Sequence, residues 1–206
     1  MYIELIDLLR CPKPHDESWL VAAFNRMDGR FVIEGKLGCP VCSSSYPISC
    51  GVADFRSEPL SSSVESTSEV ISDDLPMRVA GMLGLTRAGA AVVLCGMPAA
   101  VAGAIAELAN VRVVSANPTL VSKEAENVAA VHSEERLPFA AGSIDALMLS
   151  DDARGVDMTE AVRVLKTGGR LVAPANATLA GNLRELARDD RYIVAEFTGP
   201  LVGLSR

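Results

Sequence analysis

The stretch from residue 90 to residue 114 constrains the fold most, because the spacing of its apolar residues changes from strand-like to helix-like and back. It reads AAVVLCGMPAAVAGAIAELANVRVV. An apolar, strand-like run at 91–95 ends at Gly96, a helix rich in small residues follows, and a β-branched run at 111–114 closes the unit. A strand, a helix and a second strand in this order predict the nucleotide-binding half of a Rossmann-like sheet.

The positions that hold a nucleotide in such a unit are altered here. Binding needs glycines in the first turn and an acid after the second strand. Gly96 is present, but Pro98 has no N–H to donate and Ala100 carries a Cβ where contact must be close. Asn117 stands at the end of the second strand in place of the acid. The sequence therefore predicts the architecture together with a weakened nucleotide site.

Composition narrows the class of protein. The 206 residues suffice for a small domain plus a Rossmann-sized one. Lys and Arg number 19 against 26 Asp and Glu, and the net charge of −7 makes nucleic acid an unlikely partner. An uncharged apolar run long enough for a membrane span is absent. Glu4 and Asp7 stand where a signal peptide would be basic and apolar, so we expect a cytoplasmic protein with reduced thiols.

Cysteines cluster near the start of the chain. Four of the five lie in the first fifty residues, which in a reducing compartment indicates metal rather than disulfides. Cys39 and Cys42 form a Cys-x-x-Cys pair, which presents two thiolates to one ion, and zinc takes four such ligands. Asp28-Gly29 between two apolar runs predicts a hairpin ahead of this pair.

The segments LIDLLRCP, GKLGCPVCSSSYPI and CGVADF resemble the Trm112-like zinc-ribbon family, from Leu5 to about Phe55. In that pattern three cysteine ligands are kept and Pro14 replaces the fourth. We expect the neighbouring histidine to complete the site, with Cys50 as the reserve ligand. The expected zinc ligands are Cys11, His15, Cys39 and Cys42. The alternative is that the metal has been lost and the thiols are small core residues.

The composition changes at residue 57. Residues 57–74 read SEPLSSSVESTSEVISDD, serine-rich and acidic, which is typical of a linker. We therefore expect a ribbon domain at 1–56, a linker at 57–74 and a Rossmann-like domain at 75–206, with no sheet shared between the two domains. In the last domain the pattern predicts helices at 76–85, 122–130 and 179–188. It also predicts a short third strand that begins at 129–131 and closing strands at 192–197 and 201–204.

A second resemblance covers residues 90–173. The blocks LPFAAGSIDALMLSDDA and EAVRVLKTGGRLVAPA are similar to the class I S-adenosylmethionine-dependent methyltransferases. The resemblance implies a mostly parallel sheet in a three-layer α/β/α sandwich. Asp151 and Asp152 follow the fourth strand, where methyl-transfer residues lie in such folds, and are weak catalytic candidates. Their alternative role is to solvate a loop or cap the next helix.

The resemblance also identifies the positions that would hold S-adenosylmethionine. The glycine loop keeps only Gly96, and the ribose position is Asn117. The adenine position is Ser133, and Leu94 replaces the acid that heads the loop. All three carboxylates are therefore missing, and we expect this chain to bind the cofactor weakly or not at all.

These observations favour a methyltransferase-like pseudoenzyme that acts through protein contacts. The Trm112-like family implies an activating partner of methyltransferases, so the ribbon is expected to support its own linked domain. We expect a protein partner or a homodimer. Two alternatives stay open: an active S-adenosylmethionine-dependent methyltransferase of unknown acceptor, and a small-molecule binding module.

Overall fold

The structure is a computed structural model and describes residues 1–57, 74–96, 99–118, 127–134, 136–150, 153 and 156–199. A 3-10 helix (Ile3–Asp7) opens the chain. The strands are β1 (Val21–Asp28), β2 (Phe31–Gly38), β3 (Ser45–Ser49), β4 (Val52–Asp54), β5 (Ala91–Cys95), β6 (Arg112–Ala116), β7 (Val128–His132), β8 (Ile144–Leu149), β9 (Leu165–Pro174), β10 (Leu183–Arg188) and β11 (Tyr192–Phe197). The α-helices are α1 (Leu75–Leu83), α2 (Ala99–Ala109) and α3 (Met158–Val164). Among these, none is long and apolar enough to cross a membrane.

All eleven strands lie in one sheet, in the order β1-β2-β3-β4-β7-β6-β5-β8-β9-β11-β10. The central strands β7, β6, β5, β8 and β9 are parallel to one another. Renumbered from β5, their order is 3-2-1-4-5, as in the doubly wound folds. The order reverses between β5 and β8, so the crevice for a ligand is expected at the carboxyl ends of these two strands.

The two parts of the chain are continuous through β4. This short strand pairs in parallel with β7, and Phe55 N–H then donates to the carbonyl of His132. Apolar residues of the first 55 positions also share one core cluster with the central strands. The expectation that 1–56 and 75–206 form separate sheets is therefore wrong, because the edge of β7 is satisfied by β4. The boundaries 1–56, 57–74 and 75–206 stay a prediction, since residues 58–73 lie outside the described part.

The sheet is mixed rather than mostly parallel. Five strand pairs are parallel and five are antiparallel. Between residues 91 and 197, within the part for which a mostly parallel sheet is expected, the parallel pairs outnumber the antiparallel ones by four to two. The helices α1 and α2 pack on one face of the sheet. On the opposite face, residues of α3 share the core cluster with Leu5 and Leu9 of the N-terminal segment.

The local elements agree only in part with those expected from the sequence. The helix expected at 179–188 is wrong: Leu183–Arg188 is strand β10, whose partner is β11. The short strand expected to begin at 129–131 is confirmed as β7, which also takes residues 128–130 of the helix expected at 122–130. Residues 122–126 lie outside the described residues, as does the strand expected at 201–204. The hairpin is confirmed, with Gly29 at φ +54° in the turn between β1 and β2.

The residues shared with the methyltransferase pattern have structural roles in this fold. The guanidinium of Arg163 pairs with Glu160 and donates to the carbonyls of Leu137 and Phe139, each at 2.8 Å. Asp145 accepts the Ala91 N–H at 2.8 Å and the Lys166 ammonium at 2.9 Å. These pairs fix the connection before β8 and the starts of β5 and β8. The motifs therefore maintain the sheet whether or not a cofactor binds.

Candidate metal centre and crevice

The four expected zinc ligands lie together in the folded chain. Cys11 and His15 come from the segment after the 3-10 helix, and Cys39 and Cys42 come from the turn between β2 and β3. In that turn the Ser43 N–H donates to the carbonyl of Cys39 at 3.0 Å, with Ser43 itself at φ +59°. The four donor atoms all lie within 4.8 Å of one another. Cys11 and Cys42, which are 31 positions apart in the sequence, are thus brought together by the fold.

Two of the distances between donor atoms match a tetrahedral site. With Zn–S bonds of about 2.3 Å and Zn–N bonds of about 2.0 Å, two sulfurs lie ~3.8 Å apart and a sulfur and a nitrogen ~3.5 Å apart. The Sγ atoms of Cys11 and Cys42 are separated by 3.7 Å. The Sγ of Cys39 is 3.4 Å from His15 Nε2. The donor set of three sulfurs and one imidazole nitrogen therefore fits zinc in chemistry and in spacing.

The ring of His15 is oriented for metal binding. Its Nδ1–H donates to the carbonyl of Asp16 at 2.7 Å, since a carbonyl only accepts. This bond places the lone pair on Nε2, the nitrogen that faces Cys39. Histidines that bind metals commonly donate their second ring N–H to a carbonyl in this way. The same hydrogen bond raises the pKa of His15, so acid will compete with metal at this ligand.

The surroundings of the thiols favour thiolate at the exposed end of the cluster. A hydrogen bond between Ser44 Oγ and Cys42 Sγ, at 3.2 Å, lowers the pKa of Cys42 to about 6. For Cys39, desolvation acts to raise the pKa, but the N–H groups of Cys42 and Val41 outweigh it and the pKa is lowered. Burial raises the pKa of Cys11. A zinc ion would offset the cost of ionising the buried Cys11 thiol, because it binds the thiolate form.

Two neighbours of the cluster were not singled out from the sequence as parts of the site. The Tyr46 hydroxyl lies 3.1 Å from Cys11 Sγ, and Ser44 contacts Cys42. Tyr46 belongs to the Tyr-Pro-Ile run that carries the ribbon resemblance, so a signal was present. The reserve ligand Cys50 is exposed in the turn between β3 and β4, at φ +51°, and is outside the group of four.

At the carboxyl ends of β6 and β7, on the same edge of the sheet as the expected crevice, two of the three expected cofactor positions come into contact. Gly96 is at φ +73°, a conformation that favours glycine, and its N–H donates to the carbonyl of Ala116 at 3.1 Å. Asn117 follows at φ +50°. Its Oδ1 accepts the N–H of Ser133 at 2.8 Å, and Ser133 Oγ in turn donates to the carbonyl of Arg136. These side chains therefore join the ends of β6 and β7.

Other expected features of the crevice are apolar or lie elsewhere. Leu94 is fully buried and has no charge to offer a ligand. Burial raises the pKa of the Cys95 thiol to about 12, so this thiol is uncharged at neutral pH. Ser150 Oγ donates to the carbonyl of Cys95 at 2.9 Å. The candidates Asp151 and Asp152 lie outside the described residues, as does Pro98. The backbone of residue 100 is helical, and its side chain is not described.

Comparison with known proteins gives partial likenesses in structure only. No family model matches this chain, and no curated protein matches it. Similar solved structures include a putative S-adenosyl-L-methionine-dependent methyltransferase from Methanococcus maripaludis, with 16% identity over 48% of this chain and a TM-score of 0.36. The geranyl diphosphate C-methyltransferase of Streptomyces coelicolor A3(2) gives 23% identity over 47% of this chain and a TM-score of 0.37. A phosphoethanolamine N-methyltransferase of Haemonchus contortus gives 14% identity over 53% of this chain and a TM-score of 0.40.

This chain covers 52%, 42% and 30% of the lengths of those three proteins, respectively. No family membership follows from these likenesses. The strand order and the side-chain geometry described above carry the assignment of a doubly wound sheet.

Proposed function

We propose that this protein is a methyltransferase-like pseudoenzyme that has lost S-adenosylmethionine binding and acts through protein contacts. The observation that supports it is the Asn117–Ser133 contact. Where a cofactor would need carboxylates for its ribose hydroxyls and adenine amine, Asn117 Oδ1 accepts from the Ser133 backbone instead. The hydroxyl of Ser133 is likewise directed to the carbonyl of Arg136. Both positions serve the sheet rather than a ligand.

The size of the loss can be estimated from hydrogen-bond energies. A hydrogen bond to a charged group contributes roughly 1.5–3 kcal/mol net. Losing two such bonds weakens binding on the order of a hundredfold or more, at about 1.4 kcal/mol per tenfold. An asparagine at position 117 retains a neutral acceptor, which reduces the loss but does not restore the charge. Among the described residues at the strand ends, the two carboxylate positions are then neutral, which is why we expect weak binding of this cofactor.

The metal centre has a structural role in this proposal. Cys11, His15, Cys39 and Cys42 would fill all four positions of a tetrahedral zinc ion and leave no open position for water or substrate. Bound zinc would supply folding energy and no Lewis-acid chemistry at a substrate. Because β3 leads through β4 to the edge of β7, a metal that orders the first strands also supports the central sheet. This is consistent with a ribbon that supports its own linked domain.

Calorimetry with S-adenosylmethionine tests the loss of cofactor binding. We expect no binding with a dissociation constant tighter than about 1 mM. A low micromolar constant for the parent protein would contradict the proposal and favour the active methyltransferase. The triple variant Pro98→Gly, Ala100→Gly, Asn117→Asp should gain binding if the site is a decayed one. Asn110→Asp is the matched control, because Asn110 is also at φ +50° but lies at the other end of β6.

The protein contacts are proposed to include a second copy of the chain. Trp19, Val21 and Val41 are 60%, 66% and 60% exposed and lie close in sequence to the metal ligands or the start of β1. Strand β1 is an edge of the sheet, and unpaired edges can join to one another. We therefore expect a homodimer by light scattering and a shift toward monomer in Val21→Lys. A monomeric parent protein that also recovers no partner in pull-down experiments would count against a role in protein contacts.

A further inference from the structure

Two thiols of the metal cluster are close to each other although they lie far apart in the chain. The sulfurs of Cys11 and Cys42 are 3.7 Å apart, and the two residues are 31 positions apart. Cys42 is exposed, whereas Cys11 and Cys39 are buried. A reagent in solution therefore reaches Cys42 before the other two, and a second thiol lies behind it.

We propose that Cys42 is an oxidation site, and that a hydroperoxide converts Cys42 and Cys11 to a disulfide that displaces the metal. This inference rests on the metal centre proposed above. It adds a reversible chemical control to what is otherwise a structural site. The donor geometry, with one exposed sulfur backed by a second sulfur, carries it.

The steps balance with hydroperoxide as the oxidant. The Cys42 thiolate attacks one peroxide oxygen, the O–O bond breaks, and protonation gives a sulfenic acid and water. The Cys11 thiolate then attacks the Cys42 sulfur, the S–O bond breaks, and the departing hydroxide takes a proton to become water. In total, two thiols and one hydrogen peroxide give one disulfide and two waters. Sulfur is oxidised and peroxide oxygen is reduced.

The structure favours Cys11 over the other thiols as the second partner. The sulfur–sulfur separation of 3.7 Å between Cys11 and Cys42 must close to about 2.05 Å. The Sγ of Cys39 also lies within 4.8 Å of the Sγ of Cys42, but it is 3.4 Å from the imidazole of His15. Cys50 lies in a different turn and outside the cluster. Once Cys11 and Cys42 are joined, only Cys39 and His15 remain as metal ligands, too few for a tetrahedral zinc site.

The test combines zinc release with disulfide mapping on the full chain. The zinc-loaded protein is treated with hydrogen peroxide, released zinc is followed with a chromogenic chelator, and the remaining thiols are alkylated under denaturing conditions. Trypsin places Cys11 in the peptide 11–26 and Cys42 in the peptide 37–56. We expect these two peptides to become cross-linked, fragmentation to assign the bond to Cys42, and about one zinc to leave per disulfide. Reductant plus zinc should restore the starting state.

Matched variants sharpen the result. Cys50→Ser should behave as the parent protein, and Cys42→Ser should lose the cross-link. If Cys42→Ser does not fold, fragmentation of the parent peptides still decides the outcome. A bond between Cys39 and Cys42, first oxidation at Cys50, or a disulfide formed with the metal retained would overturn the inference. Absence of zinc in the protein before peroxide is added would instead refute the metal centre itself, which separates the two failures.

Discussion

Replacing Cys39 by Ser is expected to remove the metal and to destabilise the whole sheet, not only the first 56 residues. Zinc binding is coupled to folding in small metal sites, because the unfolded chain has no preformed site. Here β2, which ends at Gly38 beside the ligand Cys39, continues through β3 and β4 to β7. Disorder at the metal centre would therefore expose the edge of β7 and the core that both segments share.

We expect Cys39→Ser to lower the free energy of unfolding by at least about 3 kcal/mol, which lowers the melting temperature of a chain of this size by roughly 6–12 °C. Elemental analysis should find zinc in the parent protein and none in Cys39→Ser, and calorimetry should give one transition for each. Hydrogen exchange at residues 128–132 should become faster in the variant. The control is Cys50→Ser, whose thiol is exposed and outside the cluster. Unchanged exchange at 128–132, with only residues 1–56 unfolded, would contradict the continuity argument.

Arg163→Met is expected to lower the free energy of unfolding by about 3 kcal/mol, because it breaks a largely buried ion pair. Arg163 and Glu160 have side chains only 19% and 15% exposed. The variant keeps the aliphatic volume but leaves the carbonyls of Leu137 and Phe139 without this donor. Glu160 would retain the Leu137 N–H at 3.0 Å and a distant contact with Arg136 at 3.8 Å, which compensate only part of the loss.

Arg184→Met is the matched control for this prediction. Arg184 pairs with Glu196 at 3.0 Å, but its side chain is 63% exposed. An exposed pair of this kind contributes less than about 1 kcal/mol. Urea denaturation of both variants gives the comparison. Equal effects for Arg163→Met and Arg184→Met would show that the shared motif does not stabilise the connection before β8.

The residues of the methyltransferase pattern can serve the fold without serving a cofactor. The residues most similar to the methyltransferase pattern, Asp145 and Arg163, make contacts inside the protein. Selection for folding alone can therefore keep these motifs after a cofactor site has been lost. A motif match in this region predicts the sheet more securely than it predicts the activity.

Local sequence was sufficient where a pattern has a local physical cause. The Asp28-Gly29 turn, the apolar run at 91–95 and the Cys-x-x-Cys pair each predicted a feature that the structure contains. A glycine in a two-strand turn, a fully buried parallel strand and two thiols in one tight turn are all encoded within a few residues. His15 was instead proposed from the resemblance to the zinc-ribbon family, since it lies one residue beyond the position at which that family has a cysteine.

Other features were decided only by contacts between distant parts of the chain. Residues 183–188 contain good helix formers, but pairing with β11 makes them a strand. The three-residue strand β4 has too short a pattern to predict its partner, and Asn117 finds the Ser133 N–H sixteen residues away only after β6 and β7 have paired. The sequence by itself determined the strands of the central sheet and the four candidate metal ligands. The tertiary structure decided that one sheet joins both segments and that the crevice side chains bond to the protein, because strand edges and buried polar groups find their partners only in the folded chain.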